Sequence, residues 1–95
     1  MLHITARMSL LKTDEGGRTS WVRSGYQPNI RFGDLYTDGV LTFLDHQPVY
    51  PGDTCEVHVT FANPDYVRAY LRVGACFDIT EGLWKIGEGG EPLDT

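Results

Sequence analysis

Residues Lys12–Phe32 read KTDEGGRTSWVRSGYQPNIRF, and this stretch decides how the rest of the chain is arranged. Gly16-Gly17, with Asp14, Glu15 and Arg18 around it, makes a polar loop in which positive φ is cheap and the chain can reverse tightly. A second turn at Ser24–Pro28 follows before apolar residues return. A glycine loop among charges invites comparison with a phosphate cradle. The comparison fails, because no lysine-serine pair follows the glycines and no helical period supplies an N-terminal dipole. The expected role of the loop is architectural, a connection between strands.

On its N-terminal side, Leu2, Ile4, Ala6, Met8 and Leu10 alternate with His3, Thr5, Arg7 and Ser9, the period of a half-buried strand. On the other side, Trp21 and Val22 restart an extended segment. Pro28 then removes a backbone donor and biases the chain toward extension, so Ile30, Phe32 and Leu35 are expected on the inward face of a second long strand. Asp38-Gly39 carries a hairpin signature, which makes Val40–Leu44 the next strand. Asp45-His46-Gln47 leads to Pro48, and Pro51-Gly52-Asp53 supplies a further turn.

Alternation returns with Cys55, Val57, Val59 and Phe61 on one face and Glu56, His58 and Thr60 on the other, until Asn63-Pro64 stops the strand. Tyr66 to Tyr70 is irregular. Leu71, Val73, Ala75 and Phe77 then alternate inward, Glu81-Gly82 turns, and Leu83–Gly87 is expected to be a last short strand. No window sustains a helical period. Residues 1–88 are expected to form a single domain and residues 89–95 a flexible acidic tail with too little apolar surface to be held by packing. Short strands joined by Gly, Pro and Asp turns give an all-β fold, either a closed barrel or a sandwich.

With 95 residues, 41% hydrophobic and 22% charged, the chain has the size and composition of one small globular domain. No apolar run approaches the roughly 20 residues needed to span a bilayer. The opening MLHITARM alternates without the basic start and apolar block of a secretion signal, so a cytoplasmic location is expected. A net charge of −5 repels phosphate backbones unless basic residues gather on one face. Two cysteines, Cys55 and Cys76, have neither the number nor the spacing of a disulfide scaffold or a zinc site, and read as semi-buried thiols.

Taken together, KTDEGGRTSW, SGYQPNIRF, PGDTCEVHVTF, the ANP turn, LRV and KIGEG follow one another in an order that resembles the C-terminal β-barrel domain, domain III, of elongation factor Tu. The resemblance runs through nearly the whole chain. In that family the loop reads approximately Lys-Asp-Glu-Gly-Gly-Arg-His-Thr and the next block Gly-Tyr-Arg-Pro-Gln-Phe-Tyr-Phe. A Pro-Gly-Asp turn then precedes a valine-rich strand. The resemblance implies a six-stranded antiparallel closed barrel, which in translation GTPases packs on the other domains and helps to hold aminoacyl-tRNA. No G-x-x-x-x-G-K-[ST] loop is present, so the cradle that phosphoryl transfer requires is absent from this chain.

The tRNA role carries over only in part. Arg18 falls on the arginine that resembles a T-stem phosphate contact, but Thr19 stands where the family has histidine. The family's Gly-Gly-Arg-Thr-Val-Gly-Ala-Gly corresponds to Gly82-Leu83-Trp84-Lys85-Ile86-Gly87-Glu88-Gly89, with Trp84 in place of a phosphate-contacting arginine and Glu88 close by. Gln27 replaces a further arginine, and a longer segment before Glu81 implies an altered final hairpin. Losing two cations while adding acid removes much of a phosphate-binding surface. Residual RNA contact would rest on Arg18, Thr19 and Lys85.

His3, His46 and His58 fit no H-x-x-H or H-E-x-x-H pattern, so no metal site is expected. Ser20 and Ser24 lack a G-x-S-x-G elbow, and adjacent Asp14 and Glu15 read as solvated loop charges. No catalytic residue or cofactor follows from these patterns; an enzyme would need an unrecognised pocket. Arg18, Trp21, Arg23, Tyr26 and Trp84, with Tyr66 and Tyr70, are the aromatic and arginine types that dominate protein interfaces. For Trp21 and Trp84, core and interface placements are both open. The expectation is a stand-alone, non-catalytic barrel, monomer or weak homodimer, that binds a protein partner with a basic surface. The alternative is a tRNA-binding module.

Overall fold

The computed structural model describes residues 2–45, 47–71 and 74–93, and the side chains among these up to residue 90. Strand β1 is Leu2–Leu10, followed by a 3-10 turn at Thr13–Glu15. Next come β2 (Asn29–Phe32), β3 (Leu35–Phe43) and β4 (Thr54–Phe61). A helical turn α1 (Pro64–Val67) and a 3-10 turn (Arg68–Tyr70) precede β5 (Cys76–Glu81) and β6 (Trp84–Leu93). The strands pair antiparallel in the order β1-β4-β3-β2-β5-β6, and β6 returns to β1 to close a six-stranded barrel. The all-β, closed-barrel expectation holds.

The period-two signals produce this arrangement directly. On β1, Ala6, Met8 and Leu10 are buried, and so are Cys55, Val57, Val59 and Phe61 on β4. Ile30, Phe32, Leu41, Phe43, Phe77, Ile79 and Ile86 complete the interior from the remaining strands. Phe32 lies at the centre of an aromatic group, with ring centroids 6.0 Å from Phe61 and 5.6 Å from Phe77. The outward residues of β1 and β4 pair in register. His3 meets Thr60 at 2.9 Å, Thr5 meets His58 at 3.0 Å, Arg7 meets Glu56 at 3.4 Å and Ser9 meets Thr54 at 2.8 Å. Such cross-strand pairs fix the register, since a one-residue slip would expose the apolar row.

Several boundaries differ from expectation. Asp38-Gly39 is no hairpin but the middle of β3, and the β2–β3 connection is Gly33-Asp34, with Gly33 at φ 57°. Leu35 therefore belongs to β3, and Val40–Leu44 is not a separate strand. Gly39 is needed for packing: a Cβ there would lie 2.8 Å from Ile30 Cγ1 and 3.2 Å from Val59 Cγ1. The irregular stretch Tyr66 to Tyr70 forms the short helical turns, with Pro64 at the first position of α1.

The last strand continues to Leu93 rather than ending at Gly87, so residues 89–93 form part of the barrel wall instead of a tail. Backbone pairing supplies what apolar side chains do not: Met8 pairs with Gly89 and Arg7 with Gly90 on one side, Phe77 with Gly89 and Cys76 with Gly90 on the other. Cys55 is buried, but Cys76 is exposed rather than semi-buried. His46, Val73 and the last two residues of the expected tail lie outside the described residues.

Candidate functional site

The Lys12–Ser20 loop folds on local bonds first. The Lys12 N–H donates to Glu15 Oε1 at 3.0 Å and the Gly16 N–H to the Thr13 carbonyl at 3.2 Å, and φ 94° at Gly16 then turns the chain back. Gly17 is enclosed, because a Cβ would lie 2.2 Å from the Leu11 carbonyl oxygen. Thr13 Oγ1 donates to the Arg18 carbonyl at 2.6 Å, which carries the chain out of the turn with the Arg18 side chain directed toward β5.

There Arg18 meets Glu81. The guanidinium and the Tyr26 hydroxyl both donate to Glu81 Oε2. Arg18 also lies over the Tyr26 ring at 5.3 Å and donates to the Ser20 carbonyl at 3.3 Å and the Ser20 hydroxyl at 3.0 Å. The Arg18 side chain is only 22% exposed and that of Glu81 30%, so water screens this pair incompletely. Burial, followed by the hydrogen bond to Glu81 and its charge, pushes the Tyr26 hydroxyl well above the usual tyrosine range, against the opposing pull of Arg18.

Trp84, at the start of β6, donates its indole N–H to the Gly16 carbonyl at 2.6 Å while remaining 50% exposed. Beside it, Leu83 at the β5–β6 turn is 85% exposed. Trp21 is 43% exposed and receives the Arg23 guanidinium over its ring at 5.0 Å. Both tryptophans therefore lie on the surface, and the core placement is ruled out for each. The expected residues form two groups, Arg18 with Tyr26 and Trp21 with Arg23; Trp84 is tied to the loop that carries Arg18. Thr19 is exposed.

Lys85 lies apart from Arg18 in its interactions. Its ammonium binds Glu88 at 3.1 Å and Asp78 at 3.3 Å, and hydrogen bonding to Glu88 holds it above the usual lysine range. The residue missed by sequence reasoning is Glu81, whose local sequence marks only a turn. It is the shared acceptor of the Arg18–Tyr26 group, and its 55- and 63-residue separation from these partners leaves no local signal.

His3 and His58 each lie within hydrogen-bond distance of a threonine hydroxyl on the neighbouring strand. Ser24 accepts from the Phe43 N–H at 3.0 Å. Among the described residues, no group of three or more His, Cys, Asp or Glu side chains is placed to hold a metal ion. None of the described helices is long and apolar enough to cross a membrane. No protein-family model matches the chain.

Proposed function

We propose that this barrel is a non-catalytic, cytoplasmic module that binds a protein partner through the surface of the Gly16-Gly17 loop and the β5–β6 turn. Trp21, Arg23, Leu83 and Trp84 make the contact on this reading, and Arg18 and Tyr26 act as its support. The observation that carries it is the contrast between cations and aromatics. Arg18 is occupied by Glu81 and Ser20, and Lys85 by Asp78 and Glu88, whereas Trp21 and Trp84 are about half exposed. A phosphate backbone needs available cations, and an interface needs aromatic area that can be desolvated.

The partner surface is basic, complementing the net charge of −5. The resemblance of the loop and strand motifs to domain III of elongation factor Tu extends the proposal to a bacterial partner connected with translation. That extension rests on analogy of sequence and fold.

Affinity capture from host lysate with wild type, Trp21→Ala and Leu83→Ser, followed by a salt titration of tRNA binding, tests the reading. A partner retained by wild type and lost from both variants supports it. Submicromolar tRNA affinity that falls steeply with salt and disappears in Arg18→Ala would favour the RNA-binding alternative and overturn it.

A further inference from the structure

Strand β6 is paired on both sides yet carries glycine at positions 87, 89 and 90. Glycine inside a strand weakens it and marks a bulge, a tight packing contact or the approach of another molecule. Packing accounts for two of the three. A Cβ at Gly87 would lie 2.7 Å from the Ser9 carbonyl oxygen, and one at Gly89 would lie 2.5 Å from the Phe77 ring.

Gly90 is different. It stands in register with the exposed residues Arg7 on β1 and Cys76 on β5, so it belongs to the outer face. A Cβ there would meet Ala75 O at 3.1 Å and Cys76 Sγ at 3.2 Å, tight contacts but not overlaps. The missing side chain leaves bare backbone between Arg7 and Cys76. A cavity of about 330 Å³ opens at this place, with Arg7 and Ser9 on one wall, Cys76 and Asp78 on the other, and Gly89 and Gly90 beneath.

That volume is at the small end of the roughly 300–1,000 Å³ typical of ligand sites and suits a single small ring system. Gly89 and Gly90 leave the floor as backbone without side chains, against which a planar ring can lie. Charge selects the second property of the ligand. Asp78 is neutralised by Lys85 at 3.3 Å and Arg31 at 3.7 Å, and Glu88 by Lys85 at 3.1 Å. Arg7 is 63% exposed and touches Glu56 through one terminal nitrogen at 3.4 Å, so most of its donor fork is unengaged among the described residues. The groups left to recognise a ligand are donors, and their natural acceptor is a carboxylate.

We propose that this wall of the barrel binds a small aromatic carboxylate, with the carboxylate on Arg7 and the ring lying over Gly89-Gly90 beside Cys76. The site is formed by β1, β5 and β6 and does not depend on the protein-binding surface, so the two readings stand or fall separately.

The exposed Cys76 provides a reporter. Its alkylation by iodoacetamide is followed by peptide mass analysis, with naphthalene carboxylate as the probe and the matched naphthylmethylamine as the control. The carboxylate slows alkylation and the amine does not. Arg7→Gln, at an exposed position where loss of a surface ion pair has little effect on folding, weakens the protection about tenfold. Gly90→Val, which fills the floor, abolishes binding measured by naphthalene fluorescence. Absence of protection at millimolar probe, equal protection by the amine, or unchanged protection in Arg7→Gln would each overturn the proposal. Arg7→Gln decides the matter even if Gly90→Val does not fold.

Discussion

The indole N–H of Trp84 donates to the carbonyl of Gly16 at 2.6 Å, joining positions 68 residues apart. The glycine loop that organises the N-terminal half is therefore fastened to the hairpin that closes the barrel. A tryptophan can make this bond at its polar edge while half of its surface remains in water. Trp84→Phe keeps the ring and removes the donor. Because the freed carbonyl can turn to water, the expected loss is about 0.5–1.5 kcal/mol, measured as a lower urea midpoint with an unchanged slope.

Glu81 is the second fastening. Glu81→Ala leaves the Arg18 guanidinium and the Tyr26 hydroxyl without their common acceptor, at an expected cost of about 1–3 kcal/mol. A double-mutant cycle with Arg18→Ala should return a coupling clearly different from zero. Additive losses would mean that the two side chains do not act together.

Tyr26 also sets an alkaline signature. Its raised value means that the folded chain holds the phenolic proton more tightly than the unfolded chain. The resulting stability is fully present below the ordinary tyrosine value of about 10 and declines as pH rises toward the folded value. An absorbance titration of tyrosinate should show one late-ionising group, absent in Tyr26→Phe.

The two thiols should separate cleanly. Burial first, and then the carboxylates of Asp45 and Asp53, push Cys55 from an ordinary value of 9.0 up to about 11. Its contribution to stability is full below 9.0 and is lost as pH rises through about 11. At neutral pH a thiol reagent should modify the exposed Cys76 and spare Cys55 until the protein unfolds. Equal rates at both positions would contradict the burial of Cys55.

Gly39 has ordinary strand geometry, so its substitution tests packing rather than turn conformation. Gly39→Val should cost about 1–3 kcal/mol through contact with Ile30 and Val59. A neutral effect, measured by thermal unfolding, would mean that the space between β2, β3 and β4 is larger than described.

The same residue shows where sequence reasoning stops. Strands β1 and β4 were legible because alternation is a local property, and their cross-strand pairs follow from it. Asp38-Gly39 carries the local signature of a hairpin, but its glycine answers to side chains on β2 and β4, which no window around residue 39 contains. The sequence signal of the final strand stops short for a related reason: 87–90 is Gly-Glu-Gly-Gly, with almost no apolar signal, yet both of its edges are paired. At the candidate surface, residue chemistry singled out Arg18, Trp21, Arg23, Tyr26 and Trp84. Their division into two groups, and the place of Glu81 as the acceptor shared by Arg18 and Tyr26, depend on how the barrel closes.

Closure also has a temporal side. Strand β1 is the first of the six and takes one of its two neighbours from β6, the last. During synthesis the seam must wait for nearly every other residue described, and until then β1 and β5 each present an unsatisfied edge. Barrels with such non-local pairing fold in roughly milliseconds to seconds. The bonds that join Arg18 to Glu81 and Gly16 to Trp84 lie where the last strand begins, so they are placed to hold the arriving strand in alignment as well as to secure a finished barrel.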